Sequence, residues 1–351
     1  MTEITSQEGL QALNAAWQRG RDFLGTEFAI LGGAMSWVSE RNLVSAISNA
    51  GGFGVIACGA MTTDLLDAEI KATKAMTDKP FGVNLITMHP DLDKLVDICL
   101  ENGVGHVVLA GGLPSKDTIA KLKESGVKTI CFTPTLALGK KLVRSGVDAL
   151  VIEGMEAGGH IGPVSTSVLT QEILPNITDV PIFVAGGIAR GEAMANYLQM
   201  GAAGCQLGTR FVCATESIAH PDFKRAFIRA SARDAITTVQ VDPQFPVIPV
   251  RALNNEGAKR FVETQHAVIA RYRAGELSLG EAQLEIEHYW AGALRRAVID
   301  GDVINGSVMA GQSVGMVKKE QPTAEILLDL VSQAADAFAG SGRQEGRYLN
   351  E

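Results

Sequence analysis

A chain of 351 residues, 46% hydrophobic and 20% charged, can bury a large core as one big domain or two modest ones. Its net charge of −8 excludes the basic footprint of a nucleic-acid partner, and five cysteines without a C-x-x-C pair argue against a disulfide framework or a zinc site. The first residues, with Glu3 and Glu8, lack the apolar core of a signal peptide, and no stretch reaches the roughly 18 apolar residues of a bilayer span, so the chain reads as soluble and cytoplasmic with no membrane partner.

Eight short apolar runs follow one another, at 28–31, 53–57, 81–85, 106–110, 128–132, 148–153, 181–185 and 203–207. Continuous apolar strands of this kind are buried on both faces and belong to a parallel sheet. Between them, 41–49, 64–76, 117–124 and 138–145 carry apolar residues at helical spacing. Several helical patterns end at glycine (Gly51, Gly103, Gly126, Gly146, Gly201), where a left-handed C-cap turns the chain into the next strand. Repeated βα units predict an α/β fold, a closed (β/α)8 TIM barrel, with an open doubly wound sheet as the alternative.

After Phe211 the pattern becomes helical at 223–233, 256–273 and 279–299, with a turn-rich gap at 242–249. This predicts a helical insertion or lid after strand 8. A last helix over 323–338 should pack back on the barrel, and 340–351 reads as a loose tail. The expected division is 25–211 plus 301–340 for the barrel and 212–300 for the lid.

Barrel enzymes carry their chemistry at the C-terminal ends of the strands. Those ends read Gly33-Ala34-Met35, Asn84, Gly111-Gly112, Thr133-Pro134-Thr135, Glu153, Ala185-Gly186-Gly187 and Gln206-Leu207-Gly208-Thr209. Glycine lets a planar ligand approach the backbone closely. The loops after strands 7 and 8, at Gly186-Gly187 and Gly208-Thr209, are where barrels bind phosphate through backbone N–H groups and a helix N-terminus. Tight turns alone are the competing explanation.

His160 lies in Gly158-Gly159-His160-Ile161-Gly162, a loop too rich in glycine to present a core face. At a barrel mouth its near-neutral pKa suits proton transfer; otherwise it only bonds loop carbonyls. Glu153 and Glu156 contact a cofactor, orient His160, or stay solvated or structural. His106 begins its strand and belongs to the opposite rim. His89, His220, His266 and His288 have no metal-ligand spacing, so no metal site is expected. The strand C-termini lack lysine, which argues against a Schiff-base aldolase.

Gly186-Gly187-Ile188-Ala-Arg-Gly191 with Gly208-Thr209-Arg210-Phe211 resembles the FMN phosphate site of the nitronate monooxygenase (2-nitropropane dioxygenase) superfamily. Glu153-Gly-Met-Glu-Ala-Gly-Gly-His-Ile-Gly162 more closely resembles enoyl-(acyl-carrier-protein) reductase II, the FabK-type member. Asn305-Gly-Ser-Val-Met-Ala-Gly-Gln312, Val317-Lys-Lys-Glu320, Gly32-Gly-Ala-Met-Ser-Trp-Val38 and Lys79-Pro-Phe-Gly-Val-Asn84 resemble that subgroup too. The resemblance spans 28–330.

It implies one non-covalent FMN, its phosphate at Gly186, Gly187, Gly208 and Thr209 and its ring near Gly33, Ala34, Met35 and Asn84, covered by Gly158, Gly159 and His160. It implies that NADH or NADPH reduces the flavin, which passes hydride to the β-carbon of a 2-enoyl thioester, with His160 supplying the proton. Ala110-Gly111-Gly112-Leu113-Pro114 departs from the reductase pattern, where asparagine should follow Ala-Gly, and the stretch before Phe28 is longer than the fold needs. An acyl-carrier-protein-linked or free small-molecule substrate is implied as partner, and a homodimer is left open.

Lys224, Arg225, Arg229 and Arg233 fall on an expected helix, three of them spaced by four and so on one face. They offer a docking stripe for an acidic carrier protein, or else a solvated face paired with Asp222 and Asp234. The alternatives to the reductase are a nitronate monooxygenase, which consumes O2 and no NAD(P)H, and an NAD(P)H:quinone reductase. A barrel that only carries flavin and a colourless phosphate-binding isomerase complete the set.

Overall fold

Val, Ile, Leu and Ala fill eight strands that pair only in parallel. The computed structural model describes residues 6–242 and 249–340. The strands are β1 (Ile30–Gly32), β2 (Gly54–Ala57), β3 (Phe81–Ile86), β4 (His106–Ala110), β5 (Lys128–Phe132) and β6 (Ala149–Glu153). After a short β7 (Gly159–His160) outside the barrel come β8 (Ile182–Ala185) and β9 (Gly204–Leu207). Their order is β1-β9-β8-β6-β5-β4-β3-β2, and a parallel bridge between Leu31 and Phe53 brings the two ends together. The expected TIM barrel is therefore present, and all five expected glycine caps hold left-handed φ values.

Strand residues alternate between the barrel axis and the helix layer. Leu150 marks the outward set, because a Cβ built on Gly139 of helix Leu136–Arg144 would lie 3.5 Å from its Cδ1. Val151 and Glu153 thus face the axis. Cross-strand register carries that face to Phe183 and Ala185, and from Ala185 to Gln206.

The N-terminal end of the barrel is plugged by Phe23, from helix Gln18–Leu24. Its ring lies 6.1 Å from Phe183 and 5.4 Å from His106. Its carbonyl accepts from Lys128 and sits 3.0 Å from His106 Nε2. His106 is indeed structural, and burial pushes its pKa down to about 4. This corrects the view that the stretch before Phe28 is surplus. Leu13, Trp17 and Leu24 are fully buried, and a Cβ on Gly9 would meet the Ala335 carbonyl oxygen of helix Thr323–Phe338 at 2.0 Å.

Beyond the barrel, helices Pro221–Arg229, Glu256–Arg273 and Leu279–Val298 and a three-stranded sheet, β10 (Ala235–Thr237)-β11 (Val250–Leu253)-β7, follow β9. Phe223, Phe227, Leu294 and Val298 join the barrel core, while Val250, Phe261, Ile286 and Trp290 form a smaller cluster. The gap at 243–248 and the tail beyond Gly340 lie outside the described residues.

The helix expected over 223–233 stops at Arg229, because Ser231 and Asp234 cap a new 3-10 turn, Ala232–Asp234. Arg233 therefore leaves the expected stripe, while Arg225 and Arg229 remain exposed on the helix, four residues apart. Lys224 is buried, donating to Ala214 O at 2.9 Å and to Glu320 at 3.1 Å. Arg225 pairs with Asp222 and Arg233 approaches Asp234. Among the described residues no helix is long and apolar enough to cross a membrane.

Candidate active site

The axis-facing row Glu153–Ala185–Gln206 ends at the C-terminal rim, and β1 continues it. Leu31 is in register with Gln206, so Gly33, two residues on, shares the face. A Cβ on Gly33 would lie 3.4 Å from Gln206 Nε2. On the far side Gly82 pairs with inward His106, which turns Asn84 inward beside Val108, and its Nδ2 donates to Val108 O at 3.2 Å. Small residues thus alternate with three uncharged or unpaired polar groups around one mouth.

The loop after β1 is held by buried Ser39, whose hydroxyl accepts from Met35 N at 3.0 Å and donates to Gly33 O at 2.9 Å. A Cβ on Gly208 would lie 3.4 Å from Met35 Sδ, so this loop, with Ala34, adjoins the one after β9. Trp37, on the same loop, has φ +67° and is the one non-glycine residue with positive φ among those described. Such strain costs about 1–3 kcal/mol and gathers at functional sites. No sequence pattern announced it.

Gly186 and Gly187 are both left-handed, at φ +95° and +74°. A Cβ on Gly186 would meet Gly154 O at 2.9 Å. The helical turn Thr209–Val212 begins at Gly208 without a side-chain cap, leaving backbone N–H groups for a ligand. Helix Gly191–Gln199 is turned elsewhere, its Gly191 N–H donating to Gln333 Oε1 at 2.9 Å. Gly311 N donates to Thr209 Oγ1 at 3.0 Å, which occupies an acceptor lone pair and leaves the hydroxyl proton free to donate. A Cβ on Gly158 would lie 2.5 Å from that same Gly311 N, so the β6 loop, the β9 turn and the C-terminal segment close on one another.

Of the roles left open for Glu156 the structure shows the structural one: its carboxylate accepts from Thr166 N and Oγ1, both at 2.9 Å, capping helix Thr166–Ile173. One expectation changes here. His160 is not in a loop but on β7, exposed, its strand paired with β11 through Gly159↔Arg251 and His160↔Val250. Glu153 has no hydrogen-bond or charge partner among the described residues, and burial pushes its carboxyl up to about 8.

Arg251 was missed. It is buried, donating from Nε to Met155 O at 2.9 Å and from Nη1 to Ala235 O at 2.6 Å, and so ties the β6 loop to the β10-β11-β7 sheet. A charged residue alternating with Val250, Ala252 and Leu253 was the only signal. All five cysteines are free and buried, and burial holds Cys58, Cys99, Cys131 and Cys213 at about 12, far from reactive thiolates.

Known proteins share this architecture. The nitronate monooxygenase family pattern matches residues 18–97 and 87–333. The structure of FabK from Thermotoga maritima superposes with a TM-score of 0.82 at 37% identity, covering 92% of this chain and 97% of that one. A curated relative in Mycobacterium tuberculosis, named (3aS,4S,5R,7aS)-5-hydroxy-7a-methyl-1-oxo-octahydro-1H-indene-4-carboxyl-CoA dehydrogenase, is 31% identical over 340 residues, 89% of this chain and 94% of the relative. Nitronate monooxygenase of Paraburkholderia phytofirmans is 30% identical over 285 residues, 68% of this chain and 76% of the relative. The chain belongs to the nitronate monooxygenase family and is an FMN-dependent oxidoreductase of that superfamily.

Proposed function

We propose that the chain binds one FMN at the barrel mouth and oxidises small alkyl nitronates with O2. The observation that carries the substrate is the nitronate monooxygenase pattern, which extends over 18–333 and so includes every mouth residue named above. The residues fit the cofactor. Gly186, Gly187, Gly208 and Thr209 offer N–H groups and a hydroxyl proton to its phosphate, and the left-handed φ of Gly186 and Gly187 excludes a side chain there. Gly33, Ala34, Met35, Asn84, Glu153, Ala185 and Gln206 would line the ring, and Gly158 and Gly159 would cover it. Bound FMN supplies electron transfer to and from a carbon centre.

His160 is the protein's proton-handling group. Exposed on β7, it can hold the anionic nitronate, or form it from the parent nitroalkane by taking the proton from the carbon next to the nitro group. Arg251 fixes that strand through Met155 and the register with Gly159.

A second reading is favoured by a separate observation. FabK and a dehydrogenase named for a carboxyl-CoA substrate match with greater coverage than the nitronate monooxygenase does. Under it, NADH or NADPH is the co-substrate, a coenzyme-A- or acyl-carrier-protein-linked 2-enoyl thioester is reduced, and His160 delivers the proton at the α-carbon; quinone reduction would use the same nucleotide. Anaerobic titration with NADH and NADPH separates the readings. No bleaching of the flavin band, with O2 uptake on adding a nitronate, supports the first. Rapid bleaching with either nucleotide overturns it in favour of the second.

A further inference from the structure

One ionisable side chain at the mouth is used neither by the fold nor by the proton chemistry. Glu153 ends β6 and faces the axis, in register with Ala185 and through it with Gln206. It is half-buried, and no donor or cation among the described residues reaches its carboxyl. The other inward groups at its level, Gly33, Asn84, Ala185 and Gln206, do not titrate. Glu156 is engaged by Thr166, and Arg251 by the carbonyls of Met155 and Ala235. Cys131 and Cys205 lie in the outward register with Leu150 and Val184. His160, the remaining titratable residue of this loop, is exposed on β7.

We propose that Glu153 meets the cofactor as a neutral carboxylic acid and donates its O–H to an acceptor atom of FMN. Burial without a counter-ion raises its pKa to about 8, so the acid form prevails at neutral pH. A carboxylate here would set an uncompensated charge against a ligand that already bears a phosphate. The acid instead offers a donor, as Gln206 and Asn84 do with their amides. The inference rests on the FMN binding that family membership implies.

The experiment measures FMN affinity of FMN-stripped protein by flavin fluorescence from pH 7 to 9, in wild type and Glu153→Gln. The phosphate, with a second pKa of about 6, stays a dianion over this window. The wild-type dissociation constant should rise about tenfold across it, as the donor is lost. Glu153→Gln, whose carboxamide donates at every pH, should show a flat constant close to the wild-type value at pH 7. A flat wild-type curve overturns the proposal, as does a slope that survives in Glu153→Gln. A second readout needs wild type alone: binding FMN at pH 9 should take up about one proton per flavin. Absence of that uptake counts against the neutral acid whether or not Glu153→Gln folds. Failure of wild type to bind FMN at any pH would instead remove the flavin reading itself.

Discussion

Replacing Gly158 by alanine tests whether the mouth is closed by the C-terminal segment. The added Cβ would stand 2.5 Å from Gly311 N and 2.6 Å from Ala310 C, both backbone atoms that cannot rotate away. Reaching ordinary contact requires the two segments to part by about 1 Å, an overpacking that costs about 1–3 kcal/mol. The same shift draws the Gly311 N–H off Thr209 Oγ1, now 3.0 Å away. One hydrogen bond of about 0.5–1.5 kcal/mol that orients a phosphate donor corresponds to a two- to tenfold loss of FMN affinity, roughly. Urea unfolding midpoints and fluorescence titration read the two effects. Gly280→Ala is the control, since no atom lies within 4 Å of its Cβ and it sits in helix Leu279–Val298. If Gly158→Ala matches that control in both stability and FMN affinity, the three segments do not close on one another as described.

Gly187→Asp and Gly208→Asp should each abolish FMN retention, because a carboxylate would repel the phosphate; equilibrium dialysis showing wild-type affinity in either would move the phosphate site elsewhere. His160→Ala should keep FMN but lose on the order of 10²–10⁴ in turnover on the true substrate. A near-normal rate would reduce His160 to a strand residue. His106, neutral in the fold with a pKa near 4, binds its proton more readily in the unfolded chain. Its contribution is therefore complete above about pH 6.5 and is lost as the pH falls toward 4, by about 3 kcal/mol in all. His106→Gln should show a shallower loss of unfolding free energy over that window, and parallel curves for the two proteins would contradict the assignment.

The barrel was legible because its strands are continuous apolar runs and its helices end at glycine, both consequences of local backbone and burial physics. The same reasoning placed Gly33, Asn84, Glu153, Ala185 and Gln206 at one rim, and strand register now gives them a common inward face. What escaped depends on distant partners. The two-residue β7 exists only because β11, 90 residues later, supplies its hydrogen bonds, so the glycines around His160 read as a loop. For Glu156 a site role and a structural one were both open, and the N–H of Thr166 supplies the structural partner. The arginine stripe assumed that helical spacing continues past Ala230, whereas the Ser231–Asp234 cap restarts the chain. The N-terminal helices seemed surplus because nothing local reveals that Phe23 fills the barrel floor.

The most direct test of the central claim is the flavin content of the purified chain. Heat-released flavin, identified by chromatography and counted against protein, should be FMN at about one per chain, and stripped protein should take FMN up again to the same ratio. A colourless chain that fails to bind added FMN at neutral pH while fully folded by circular dichroism would contradict it.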